Sequence, residues 1–173
     1  MSEKQNDNRL REGYERLLER MQGGANELTW ENLQKDLDDA VEFESELEEY
    51  TKDELALLRA WVERDLKDMR YFMADTGKQV ASWLGIDIDG LSRRVAESLL
   101  SIADRSVVER ERFEEDLEAA RADYCEGEMA APGLMACTHC DAQVMLPTVA
   151  RLEPCHQCGH RYFYRFPNKI IET

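Results

Sequence analysis

The chain has 173 residues and a formal net charge of −15, from 37 acidic and 22 basic side chains. That length allows one ordinary domain and a small module. The acidity, concentrated before residue 133, opposes nucleic-acid phosphates and anionic membrane surfaces at long range, and no run approaches the ~18 apolar residues of a membrane span.

The polar start, Met1 to Asn8, lacks the apolar run of a secretory signal. The cysteines are grouped as pairs suited to metal in a reducing compartment. A cytoplasmic protein with no membrane association is expected.

Residues 3–22 predict a first helix. Leu10, Tyr14, Leu17, Leu18 and Met21 fall on one apolar stripe, and Gly23-Gly24 stops it. Thr29 is placed to cap a second helix. There Trp30, Leu33, Leu37, Ala40, Glu44 and Leu47 follow the 3-4 spacing of a coiled-coil seam, with Glu44 as its defect.

Thr51-Lys-Asp-Glu54 is a capping box that starts the next helix. Its inner side carries Leu55, Leu58, Val62, Leu66, Met69 and Met73, with Trp61 and Phe72 adjacent. Gly77 and Gly85–Gly90 interrupt the pattern, and Val80, Trp83 and Leu84 between them suggest a short helix covering one end of a bundle. Asp89 is placed to cap a last long helix. Its stripe runs Leu91, Val95, Leu99, Ile102, then Phe113, Leu117, Ala120 and Tyr124, with a break near the capping-box match Ser106–Glu109 and an end at Glu126-Gly127.

The expected architecture is mainly α. It is an acidic antiparallel helical bundle or long helical hairpin over residues 1–128, a linker over 129–133, and a small C-terminal β zinc ribbon over 134–173. Because the helices carry their own apolar stripes, they are expected to keep their helicity when a Cys155→Ser change unfolds the ribbon.

The ribbon is read from Cys137-Thr-His-Cys140, fourteen intervening residues, and Cys155-His-Gln-Cys158. Each Cys-x-x-Cys turn aims two sulfurs at one point, and two turns supply the four thiolates of a tetrahedral metal. Cys137, Cys140, Cys155 and Cys158 are the candidate ligands of one structural Zn²⁺ per chain. Iron in a rubredoxin-like site uses the same ligands, but zinc is the commoner use of this spacing.

So short a segment needs such a staple. Structural zinc contributes roughly 10–16 kcal/mol of apparent binding energy to folding. Short strands are expected at Leu134–Ala136, Gln143–Leu146 (ended by Pro147), Arg151-Leu152 and Arg161–Phe166. Gly159 stands where a knuckle needs positive φ, and Asp141 holds the matching place after the first pair. His139, His156 and His160 lie in or beside the knuckles, but four cysteines already close the site. Cys125, the fifth cysteine, reads as a small, partly buried residue.

Several stretches resemble a bacterial family of helical proteins with a C-terminal zinc ribbon, the YbeL-like proteins. They are Tyr124-Cys-Glu-Gly-Glu128, Cys137-x-x-Cys140, Leu146-Pro147, Pro154-Cys155-x-x-Cys158-Gly159-His160 and the aromatic strand to Phe166-Pro167. The resemblance implies the same four cysteine ligands and no known activity. Acidic helices joined to a four-cysteine module are also similar to the DksA/TraR class, which enters the RNA polymerase channel. Here the cysteine spacing differs, and Asp36 to Asp39 fall inside a helical stripe rather than at a turn.

The helical part has no histidine, which removes the Glu-x-x-His pattern of di-iron bundles. Among nine glycines there is no phosphate-binding Gly-rich motif. Glu42, Glu44, Glu46, Glu48 and Glu49 spread over several helix faces as a solvated surface. An enzyme is not expected.

The leading expectation is a non-catalytic zinc-binding protein serving as an interaction or adaptor module, with a protein partner or a second copy of itself. The alternative is a transcription- or translation-associated factor acting through the ribbon, where Arg161, Tyr162, Tyr164 and Arg165 mix cations with stacking rings. Against it stands the reading that these aromatics pack the ribbon onto the helices. The intact acidic chain is expected not to bind nucleic acid.

Overall fold

The computed structural model describes residues 2–21, 29–76, 83–84, 93–105 and 124–165. Among these, four helices precede a small antiparallel sheet region. Helix α1 (Glu3–Arg20) opens on a reciprocal capping box of Ser2 and Gln5 and buries the expected stripe. Helix α2 (Trp30–Glu46) is capped by Thr29, whose hydroxyl accepts from Asn32 N–H at 3.1 Å. Helix α3 (Lys52–Thr76) starts at the Thr51–Glu54 box, both bonds of which are 3.1 Å. Helix α4 (Arg93–Arg105) buries Val95, Leu99 and Ile102.

Side-chain pairs fix the helix directions. Arg9 meets Glu54 and Tyr14 meets Asp65, so α1 and α3 run the same way. Gln34 meets Glu63 and Asp38 meets Arg59, so α2 runs against α3. Arg94 at the start of α4 reaches Glu19 at the end of α1. The up-down order makes this an antiparallel bundle rather than a long hairpin.

The seam residues Leu33, Leu37 and Ala40 are consumed inside that bundle. Glu44, the defect in the stripe, is buried too. Its carboxylate takes Arg20 Nε at 2.6 Å and faces Arg16 at 3.7 Å. Leu47 is 46% exposed, because α2 ends at Glu46 and the chain turns through a left-handed Glu48. Among the described residues no helix is long and apolar enough to cross a membrane.

The sheet region begins earlier than the sequence suggests. Tyr124–Cys125 is strand β1, not the end of a helix; Tyr124 pairs with Phe163 and Cys125 with Tyr162. Interstrand pairing with the aromatic strand overrides the helical stripe there. The stretch 129–133 contains strand β2 (Met129–Ala130), and Met129 and Ala131 join the helical core. The remaining strands are β3 (Gly133–Cys137), β4 (Gln143–Leu146), β5 (Ala150–Arg151) and β6 (Tyr162–Arg165).

Four strands form one sheet in the order β1-β6-β3-β4, and β2 pairs with β5. Strand β4 ends at Leu146, ahead of Pro147, as expected. The readings at Gly23-Gly24, Gly77, Val80, Gly85–Leu91, Ser106–Glu109, Phe113–Ala120 and Phe166-Pro167 lie outside the described residues.

Candidate metal centre

The two knuckles have the same backbone construction. In the first, Asp141 N–H donates to Cys137 C=O at 3.0 Å and Cys137 N–H to Ala142 C=O at 2.9 Å. In the second, Gly159 N–H donates to Cys155 C=O at 2.9 Å and Cys155 N–H to His160 C=O at 3.0 Å. The fifth residue of each knuckle is left-handed, with φ of 59° at Asp141 and 73° at Gly159. Asp is among the few non-glycine residues that tolerate this region. Tyr164 OH also donates to its carboxylate at 2.8 Å.

This construction brings all four predicted sulfurs together. Sγ of Cys137 and Cys158 are 3.6 Å apart, those of Cys140 and Cys155 are 3.5 Å apart, and all four lie within 4.8 Å of one another. A tetrahedron of metal–sulfur bonds of about 2.3 Å has sulfur–sulfur edges of about 3.8 Å. The four cysteines are therefore positioned to bind one tetrahedral ion. Cys137 and Cys155 are buried, while Cys140 and Cys158 face the surface.

The electrostatics favour a cation at that point. N–H groups of Cys158 and Gln157 donate toward Cys155 and lower its thiol to about 6. Cys140 receives an Ala142 N–H that acts downward, yet burial and the neighbouring cysteines push it up to about 12. One thiolate thus opposes the next, and a dication at the centre removes that opposition. The rings of His139 and His160 lie 5.4 Å apart beside the knuckles and are not in the sulfur cluster. Cys125 is half-buried, and its N–H donates to Glu128 Oε1 at 2.9 Å.

The residues singled out as a mix of cations and stacking rings separate sharply. Arg161 is 65% exposed and 3.3 Å from Glu126, and Tyr162 is 49% exposed. Arg165, by contrast, is buried among the helices. Its Nη2 lies 3.3 Å from Asp65 and its Nε 3.4 Å from Asp68. Nη1 donates to Pro132 C=O at 2.8 Å, and the guanidinium sits over Trp83 at 4.0 Å from the ring centre. The aromatic strand packs on the helices through an arginine whose residue type alone points to solvent.

Asp65 also accepts from Tyr14 OH and, at 3.0 Å, from Ala131 N–H. Asp68 accepts from Tyr124 OH at 2.8 Å and Trp83 Nε1 at 3.3 Å. Burial pushes the Asp65 carboxyl up, but Arg64, Arg165 and these donors together hold it below the usual range. For Asp68, burial outweighs Arg165 and its carboxyl is raised. Burial likewise raises the phenols of Tyr14 and Tyr124 well above 10.

A family model described as a zinc-ribbon containing domain matches residues 22–167, a span that takes in α2 to α4 and the whole sulfur cluster. No curated protein and no solved structure matches the chain.

Proposed function

The chain belongs to the zinc-ribbon containing domain family, and from that premise we propose that it is a non-catalytic zinc-binding protein that serves as a protein-interaction or adaptor module. One Zn²⁺ per chain sits on Cys137, Cys140, Cys155 and Cys158. The observation that carries this reading is the convergence of the four Sγ atoms within 4.8 Å. Four protein ligands close a tetrahedral site and leave no position for substrate, which is the structural rather than the catalytic use of zinc.

The non-catalytic part draws support from a cluster of buried ionisable groups outside the metal site. Tyr14, Asp65, Asp68, Tyr124 and Arg165 are buried and bonded to one another. A partner of basic or mixed character suits the acidic helices. The apolar surface offered for self-association is Phe43 and Leu47 at the end of α2, both 46% exposed. Trp61 and Trp83 are already buried within the chain. The reading places the protein in the cytoplasm, where thiols stay available to metal, and within the YbeL-like group that the junction and knuckle residues resemble.

Elemental analysis of protein made without added metal tests the metal. One equivalent of zinc is expected. Less than half an equivalent, or the red colour of an iron tetrathiolate, counts against it.

A transcription- or translation-associated role through the ribbon rests on exposed Arg161 and Tyr162 beside His160, whose ring is 5.8 Å from that of Tyr162. Titration of labelled RNA and DNA with the full chain separates the two readings. The adaptor reading expects negligible binding at physiological salt. Micromolar affinity that falls with salt and is lost on Arg161→Ala supports the second.

A further inference from the structure

The metal centre and the buried carboxylates of α3 are joined by one short strand. Strand β6 starts four residues after Cys158 and is held by the first knuckle. Phe163 pairs with Cys137, Thr138 N–H donates to Tyr162 C=O at 3.1 Å, and Tyr164 OH reaches Asp141. The far end of β6 is Arg165, whose guanidinium lies between Asp65, Asp68, Tyr124 and Trp83. Besides Arg165, the two carboxylates have Arg64 nearby, with its Nη2 3.3 Å from Asp65. With Arg165 in place a guanidinium faces both carboxylates, and without it they lose that cation and keep Arg64, which Glu128 Oε1 also approaches at 3.5 Å.

We propose that this arrangement is a metal-controlled latch. With the cysteine site loaded, the knuckles hold β6 in register and deliver Arg165 to α3. When the metal leaves, the knuckles lose the cross-link between their sulfurs, β6 loses its register, and Arg165 withdraws. Asp65 and Asp68 then draw water, and α3 opens around Trp61–Phe72. Metal occupancy at the ribbon thereby sets the state of the helical bundle, against the expectation that the helices stand on their own stripes. The inference rests on the structural-metal reading above.

The test uses the full-length, zinc-loaded chain with and without a chelator. Zinc content, hydrogen exchange along α3 and urea unfolding followed by far-UV dichroism are measured together. Chelation is expected to lower the helical folding equilibrium by about 100-fold or more, the scale set by unpairing a buried charge. Exchange over Trp61–Phe72 should rise ahead of that over α2.

In Arg165→Met with Asp65→Asn and Asp68→Asn, the pairing between Arg165 and the two carboxylates is gone while Arg64 keeps Glu128, and chelation should shift the same equilibrium less than about tenfold. A triple variant that responds as strongly as the wild type overturns the latch, because the coupling then runs through apolar packing. If that variant does not fold, wild-type exchange decides: opening that begins in α3 supports the latch, and uniform opening of α2 and α3 overturns it. Zinc that binds and leaves with no change in α3 exchange overturns the latch alone. Protein that never binds zinc overturns the metal reading with it.

Discussion

Arg165→Met in the zinc-loaded protein removes one partner from a buried ion pair and keeps most of the volume. Breaking such a pair costs about 3–5 kcal/mol, because the remaining charge is left uncompensated. Pro132 C=O, Ala131 C=O and Tyr124 OH lose a donor at the same time. Against a usual stability of about 5–15 kcal/mol, that is a large part of the whole.

The site has one escape: burial has already raised the Asp68 carboxyl, and without Arg165 it rises further. A carboxyl raised in the folded state takes its proton there before the unfolded chain does. The variant should therefore gain stability as pH falls from 7 to 5, by up to about 1.4 kcal/mol per unit. Wild type, in which Arg165 opposes the rise, should change less. Asp65, held low, contributes stability above the unfolded carboxylate value of about 3.9 that is lost only as pH falls through its lower folded value. Adding Asp68→Asn to the variant should remove the part of the slope between pH 7 and 5 that Asp68 contributes, leaving that of Glu15, whose carboxyl burial also raises. Urea unfolding at both pH values measures all three proteins. A cost below about 1 kcal/mol at pH 7, or an equal cost at both pH values, refutes the reasoning.

Gly133→Ala should destabilise by more than about 1 kcal/mol in the same assay. Its φ is +145°, and a Cβ there would strike Arg165 Nη1 and lie 2.7 Å from Leu84 C=O. Glu44→Leu should cost less than about 1 kcal/mol, well under Arg165→Met, because the partners left behind, Arg16 and Arg20, are partly exposed and can rehydrate. Tyr14 and Tyr124 have phenols raised by burial, so their contribution is full below about pH 10 and is lost as pH rises toward their folded values. Tyrosinate absorbance from two of the six tyrosines should thus appear together with loss of helical dichroism; ionisation of all six ahead of that loss would refute the burial argument.

What is legible in the sequence is whatever is local. Leu10 to Met21 and Leu55 to Met69 show their faces because period and burial coincide over consecutive turns. The caps at Thr29 and Thr51 are one-turn patterns. The four sulfurs are legible because each knuckle is a closed turn of fixed geometry. Tyr124 misleads because its stripe position and its strand pairing give the same local signal, and only Phe163, far along the chain, decides between them.

The charged cluster is hidden in the same way, for a sharper reason. Asp65 and Asp68 sit about one turn apart, next to Leu66 and Met69 respectively, and Arg165 shares the inward face of β6 with Phe163. Each therefore occupies a core position by periodicity while its residue type argues for solvent. Locally the type wins, since an unmatched charge does not stay buried. For Asp65 one counter-charge is its neighbour Arg64, and the other, Arg165, lies 100 residues away. Glu44 poses the same problem in α2, with its answer in Arg20 of α1. A charged residue on an apolar stripe is then best read as a demand for an opposite charge on another element's stripe. Among the described residues, Glu44 meets Arg16 and Arg20 of α1, and Asp65 and Asp68 meet Arg165 of β6, with Arg64 beside them on α3. That pairing explains how a chain of net charge −15 keeps a closed core, since acids turned inward meet arginines there and the excess is left to the solvated surface.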